Sequence, residues 1–331
     1  MKKRWSPALI LILILYITLY FFTVIGCTSK MKEERISSSG SKTWNESKKL
    51  LNPGEYIYNI FLSNHHNMWA VGSYGKIFHY DGKDWILIPA PDKARGYNLF
   101  DLFFLTPDNG WAVGEAMTIP IKQGVIIHWD GKKWEYIDNP STDSLTAIYF
   151  TSADNGWAVG SNSHILHFDG SKWEKIAPPR FCYLSDVYFI SADNGWAVGN
   201  EGVILHYDGK NWKEFASPTK EPLYGVSFPD PHEGWAVGEI GTILHYQDGV
   251  WKSYESPTDF MLFSIYFKSP MQGYAVGTAG TIISYKYKEK KWDILPRPTR
   301  EFLYTILYEN PLGLIVAGRD KVIFNKPREA E

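Results

Sequence analysis

Asn155-Gly156-Trp157-Ala158-Val159-Gly160 is followed by Ile165-Leu166-His167-Phe168-Asp169-Gly170-Ser171-Lys172-Trp173. These two short runs, and their recurrence, decide the fold. Asn-Gly-Trp-Ala-Val-Gly returns at 109–114 and 194–199. Looser copies begin at Trp69, Trp235, Tyr274 and Ile315, so that the seven anchors lie 42, 46, 39, 39, 39 and 41 residues apart. The second run follows most anchors, and its terminal aromatic forms a parallel series: Trp85, Trp134, Trp173, Trp212, Trp251 and Trp292. A fixed period of about 40 residues signals stacked supersecondary units, each unable to bury its apolar face alone.

Each unit reads as four strands. The first is an aromatic and aliphatic run such as Leu145–Phe150, Leu184–Phe189 or Leu262–Phe267; the second is Trp-Ala-Val-Gly; the third is Ile-Leu-His-aromatic; the fourth starts at the second Trp. Asp-Gly between strands three and four is a hairpin signal, and it suggests a type I′ turn with positive φ at both central residues. Joints such as Ser217-Pro218-Thr219 close the unit. Four short strands repeated seven times predict an all-β fold: a seven-bladed β-propeller of four-stranded antiparallel blades. Ile315 lacks a second Trp after it, whereas Trp44 stands 25 residues before Trp69, near the usual spacing of 23. The N-terminal strand is therefore expected to complete the last blade and close the ring, which removes an open sheet edge.

Composition agrees. The chain has 331 residues, 44% of them hydrophobic, with a formal net charge of −2. This excludes a disordered chain and gives no electrostatic pull toward nucleic acid. Two cysteines exclude a disulfide framework. The 14 tryptophans are expected to pack between blades rather than to form a ligand cage.

Lys2, Lys3 and Arg4 precede an uncharged run, Ala8 to Ile25, in the layout of an export signal. Val24-Ile25-Gly26-Cys27 resembles the lipobox of bacterial lipoproteins. That resemblance implies cleavage before Cys27, acylation (palmitate included) at Cys27, and an extracytoplasmic, lipid-anchored protein of a bacterial cell envelope. The expected organisation is a signal peptide at 1–26, a lipidated tether at 27–42 and the propeller at 43–331. Cleavage leaves 31 basic against 36 acidic residues, net −5.

The repeat itself resembles the BNR-like, Asp-box-related propellers of the photosystem II stability and assembly factor family. Those run Gly-Trp-x-Val-Gly, then Gly-x-Ile, then Asp-Gly-Gly-x-x-Trp. Here Lys83, Lys132, Ser171 and Lys210 replace the second Gly, and a His stands where that family tends to have Thr. The resemblance implies a non-catalytic disc that holds partner proteins during membrane-complex assembly.

Bland roles cover most chemistry-bearing residues. His79, His128, His167, His206 and His245 occupy one repeat position and are expected to hydrogen-bond within blades; neighbouring copies lie too far apart to share a metal. Asp81, Asp130, Asp169, Asp208 and Asp248, and the Asp-Asn pairs at 108–109, 154–155 and 193–194, read as turn formers. Cys182 is expected to be a buried spectator. The sequence carries no nucleophile elbow, zinc-protease, phosphate-loop or sialidase signature, so no catalytic residue, metal or cofactor is assigned.

Function is expected where the repeat breaks its own pattern, on loops. Propeller geometry puts the linkers between blades on one face with the turns between strands two and three. Arg95, Arg180, Lys220, Arg300 and Arg319 would lie there, with Arg297 nearby, against Asp143, Asp259, Glu201 and Glu239. Such a basic group would grip carboxylates. The second break is an insertion of about seven residues between Gly114 and Val125, whose Met117, Ile119, Pro120 and Ile121 make an apolar interaction loop. The expected protein is a monomeric, non-catalytic protein-binding scaffold whose partners are the membrane, through its lipid, and another protein or membrane complex. A glycan-binding module, with Tyr97 and Phe181 as stacking candidates, or an extracytoplasmic hydrolase or lyase, is the alternative.

Overall fold

The computed structural model describes residues 44–46, 49–64, 67–116, 123–310 and 312–325. Cys27, the tether, and the insertion residues Met117, Ile119, Pro120 and Ile121 lie outside them. Seven four-stranded antiparallel sheets form blades 1 to 7. Blades 1 to 6 occupy residues 57–88, 98–136, 145–176, 184–215, 223–254 and 262–294, and blade 7 takes 303–325 with 45–46. The first strand of each blade is innermost, and these seven inner strands contact one another in a closed ring. Ring closure is as expected: Asn45 pairs with Phe324 and Glu46 with Ile323 at the outer edge of blade 7. Among the described residues no helix is long and apolar enough to cross a membrane.

The repeat motif is explained by a stack that passes from blade to blade. Trp157 is wedged between His167 of its own blade, 4.3 Å away, and Phe189 of the next, 5.4 Å away and nearly parallel. Trp212 of that next blade meets it edge-on at 5.6 Å. Trp69, Trp111, Trp196 and Trp235 repeat this arrangement with Phe104, Phe150, Phe228 and Phe267. The Phe rings in turn need the Gly before Trp: a Cβ on Gly156 would lie 2.3 Å from Phe150, and one on Gly195 2.4 Å from Phe189. The tryptophans are thus the inter-blade cement, each large ring burying apolar area in edge-to-face and stacked contacts.

The Asp-Gly hairpins differ from the expected turn. In blades 1 to 4 only the glycines, Gly82, Gly131, Gly170 and Gly209, have positive φ. The loop is a four-residue Asp-Gly-x-x, and the Asp side chain closes it: Asp169 Oδ1 accepts the N–H groups of Ser171 at 2.9 Å and Lys172 at 3.0 Å. A side-chain oxygen thereby replaces the backbone geometry of a type I′ turn. The Ser171 hydroxyl, donating to the same oxygen at 2.7 Å, and these N–H groups hold the Asp169 carboxyl down at about 2. Blade 5 alone shifts the pair by one residue, and there Asp248 and Gly249 both take positive φ, at 54° and 79°.

Candidate functional site

The last Gly of each Trp-Ala-Val-Gly shapes the mouth of the central axis. A Cβ on Gly72, Gly160 or Gly277 would sit 2.1, 2.0 or 1.7 Å from the carbonyl oxygen of Tyr56, Ser144 or Met261, so only Gly admits the incoming inner strand. The register slips there in every blade, between Ile57 and Asn59, Leu99 and Asp101, Leu145 and Ala147, and so on round the ring. A β-bulge re-aims the extra residue. The seven bulged residues are Tyr58, Phe100, Thr146, Ser185, Tyr224, Phe263 and Tyr304. Five are aromatic, from consecutive blades 5, 6, 7, 1 and 2, and their rings touch in series. Tyr224 meets Phe263 at 5.7 Å, Phe263 meets Tyr304 at 5.2 Å, Tyr304 meets Tyr58 at 5.5 Å and Tyr58 meets Phe100 at 5.1 Å. Thr146 and Ser185 complete the circle at blades 3 and 4, giving an aromatic crescent with a polar gap.

The next residue inward is Asn59, Asp101, Ala147, Asp186, Gly225, Ser264 or Thr305. Here the acids stitch neighbouring blades. Asp101 accepts from Asn59 Nδ2, from Leu102 N at 2.8 Å and from Ile148 N of blade 3 at 2.7 Å. Asp186 accepts Val187 N and Val226 N of blade 5, each at 2.8 Å. Thr305 donates to Asn59 Oδ1 at 2.8 Å. Burial pushes Asp101 up to about 6 and Asp186 up to about 7, and the N–H donors oppose it. These axial acids were missed in the sequence. Their signal was present: a lone Asp inside each of two apolar inner strands, Leu-Phe-Asp-Leu-Phe-Phe and Leu-Ser-Asp-Val-Tyr-Phe.

The repeat histidines are held as blade elements. His167 Nε2 lies 2.8 Å from Asn155 Oδ1, His206 3.0 Å from Asn194 and His128 3.0 Å from Asn109, while His245 meets Glu233 at 3.1 Å. Burial lowers the pKa of each of these rings. The Asn before Gly-Trp is therefore more than a turn former. The partners stand 12 residues apart in blades 1, 3, 4 and 5, a spacing readable in the sequence. Cys182 is buried and unpaired, and burial pushes its thiol up.

The linkers and the turns between strands two and three do share a face; Ser163 N donates to Cys182 O across them at 2.7 Å. The candidate basic residues are spread round this face, and three are engaged locally. Arg180 bridges Glu201 at 2.7 Å and Glu214 at 3.0 Å, Arg319 meets Glu301 at 3.0 Å, and Arg95 meets Asp92 at 2.9 Å. Lys220 and Arg300 are exposed and form no ion pair among the described residues. Arg297 rests over the Phe260 ring, 5.0 Å from its centroid. Exposed apolar side chains share the face: Phe181 at 76%, Ile240 at 59%, Tyr74 at 52% and Phe302 at 45%.

The seven sheets closed in a ring define a seven-bladed β-propeller. A sequence model described as photosynthesis system II assembly factor YCF48 matches residues 126–216, from the third strand of blade 2 to the end of blade 4. The solved structure titled YCF48 bound to D1 peptide shares 17% identity, with a TM-score of 0.69 over 85% of this chain and 94% of that one. YCF48 from Cyanidioschyzon merolae gives 17% and 0.67, covering 86% of this chain and 99% of that one. The WD40 propeller of Doa1 gives 11% and 0.69, covering 87% and 97%. No curated protein sequence matches the chain.

Proposed function

We propose that the protein is a non-catalytic scaffold that binds other proteins, anchored through a lipid on Cys27 outside the cytoplasmic membrane of a bacterium and acting in membrane-complex assembly as a monomer. The observation that carries this reading is the division of labour in the repeat. Its His, Trp, Phe, Asn and Gly positions are consumed in holding blades together, and the departures gather on the linker face with exposed Phe181, Ile240, Tyr74 and Phe302. A rigid ring presenting variable loops is a docking platform. The family matched by residues 126–216 is named for assembly, and one structurally similar propeller carries a peptide. Within the basic group, Lys220 and Arg300 are the positions open to a carboxylate partner, while Arg95, Arg180 and Arg319 would first have to release their acids. Met117, Ile119, Pro120 and Ile121, the apolar residues of the blade 2 insertion, are the second proposed interaction element.

The second reading is a hydrolase or lyase, favoured by the raised pKa values of Asp101 and Asp186. Against it, both oxygens of each carboxylate already accept N–H donors from the blades. Glycan binding rests on Phe181 alone among the exposed stacking candidates, since Tyr97 packs into the core between blades 1 and 2. Affinity capture from the native membrane, with the full chain as bait and mild cross-linking, tests the scaffold. Recovery of one membrane complex, lost in Lys220→Glu and Arg300→Glu variants of unchanged melting temperature, is expected. Recovery of none would leave glycan and hydrolase screens as the better course.

A further inference from the structure

The bulged aromatics form a receptor-like wall, and the charges around it select its ligand. Five ring systems line the axial mouth on the linker face, and exposed Phe302 extends them outward, 6.1 Å from Phe263 and 6.4 Å from Tyr304. Aromatic faces carry negative electrostatic potential and attract cations. Acids stand beside these rings. Glu239 accepts the Tyr224 hydroxyl. Burial raises the Tyr58 and Tyr183 hydroxyls, and the nearby Glu115 charge adds to both. Asp101 and Asp186 lie in the next layer inward, near enough for Asp101 to oppose ionisation of Asp186. Arg319 at this rim is taken up by Glu301 at 3.0 Å, whereas Lys220 and Arg300 stand exposed in the linkers that lead to Tyr224 and Tyr304. The same face already shows the chemistry within the chain, where the Arg297 guanidinium covers Phe260, three residues before Phe263. A ring of π faces with acidic acceptors beside it is complementary to a positive group.

We propose that the axial mouth bounded by Tyr58, Phe100, Tyr224, Phe263 and Tyr304 receives a basic side chain, Arg or Lys, of a partner polypeptide. The proposal rests on the scaffold reading and names a feature of the partner that reading leaves open.

The test uses the full chain in detergent solution and three dye-labelled, end-blocked nine-residue Gly/Ser peptides that differ in one central residue: Arg, Leu or Glu. Fluorescence anisotropy should show the Arg peptide binding about tenfold or more tightly than the other two. Phe263→Leu and Glu239→Gln should each weaken it by about fivefold at unchanged melting temperature; the second variant keeps the test open if the first fails to fold. Equal binding of the Leu peptide would mean an unselective apolar groove and overturn the proposal. Preference for the Glu peptide, lost on Lys220→Glu and Arg300→Glu, would overturn it in favour of the basic group. Absence of Arg-peptide binding at millimolar concentration would also overturn it. Membrane-complex capture separates the two levels. Capture without Arg selectivity removes the axial receptor alone, and Arg selectivity without capture removes the assembly scaffold alone.

Discussion

Blades 2 to 5 and the seam formed by blades 6, 7 and 1 solve the same packing problem with different side chains. In the regular arc each Trp lies between a His and the Phe of the next blade, and that Phe rests on a Gly. At the seam Tyr274 faces Tyr308 at 5.9 Å, and Ile315 replaces Trp and packs among aliphatic neighbours that include Leu62. Where Leu62 stands in place of Phe, buried Met68 stands in place of Gly; Leu314 does so opposite Tyr308. The glycine is thus not a requirement of the strand. It is the complement of the Phe ring in the regular arc; in blade 1 volume moves from one strand to its neighbour where Leu62 replaces that ring, while in blade 7 Tyr308 keeps a ring, stacked on Tyr274, opposite Leu314. The lesson is that the repeat conserves a filled volume, and the motif is one way of filling it.

The largest expected effect comes from removing the centre of a regular stack. Trp235→Ala, at a wholly buried ring, should cost about 3–5 kcal/mol in equilibrium urea unfolding, against about 2–4 kcal/mol for Ile315→Ala at the seam. A seam loss equal to the Trp loss would dissolve the contrast.

Acidity should separate the two regions next. Burial lifts the folded-state pKa values of Asp101 and Asp186 to about 6 and about 7, above the value of 3.8 that an Asp has in the open chain. The folded state therefore binds these protons more tightly. Their stabilising contribution is complete below about pH 4 and is lost as pH rises through about 7. Asp186→Asn should flatten that decline by on the order of 2 kcal/mol in urea midpoints taken across this range. The seam's Asn59 and Thr305, at the equivalent positions, contribute no such slope.

A smaller effect tests the complement directly. Gly195→Ala should cost about 1–3 kcal/mol through its contact with Phe189. Adding Phe189→Leu, which imitates Leu62 beside Met68, should recover part of the loss that Gly195→Ala causes; strict additivity in the double-mutant cycle would refute the volume exchange. The smallest is Asn194→Ala, which frees His206 and should cost about 1 kcal/mol by thermal unfolding. In blade 6, where Ser284 replaces the His and Gln272 bonds Tyr274 instead, Gln272→Ala should stay within about 0.5 kcal/mol.

Blade number and ring closure were legible because both are spacings: the anchors at Trp69 to Ile315, and Trp44 ahead of them. The His–Asn pairing was equally legible as a 12-residue spacing, though Asn was assigned only to turns. The axial mouth was hidden for a physical reason. Its aromatics lie in the same inner-strand runs as the core residues, and only the bulge, beside the carbonyl that Gly72 and its counterparts leave room for, turns them out of phase. Strict alternation would have placed Tyr58 and Phe100 by parity alone. The ion pairs of Arg180, Arg319 and Arg95 join residues of separate loops or of one short turn, so a list of basic positions could not show that three were already engaged.

The pairing of Asn45 with Phe324 has a consequence for how the molecule is made. A ribosome delivers the first of these residues before blade 1 and the second after six blades have emerged. Blades 1 to 6 can stack in the order of their birth, because each needs only its neighbour. The seventh waits for a strand that has been available from the beginning. Until residues 322–325 arrive, that strand has no edge to join, and the nascent ring exposes an unpaired strand to any other chain nearby. Closing the disc is thus its step of highest contact order, and the slowest moment in assembling it waits on the arrival of residues 322–325.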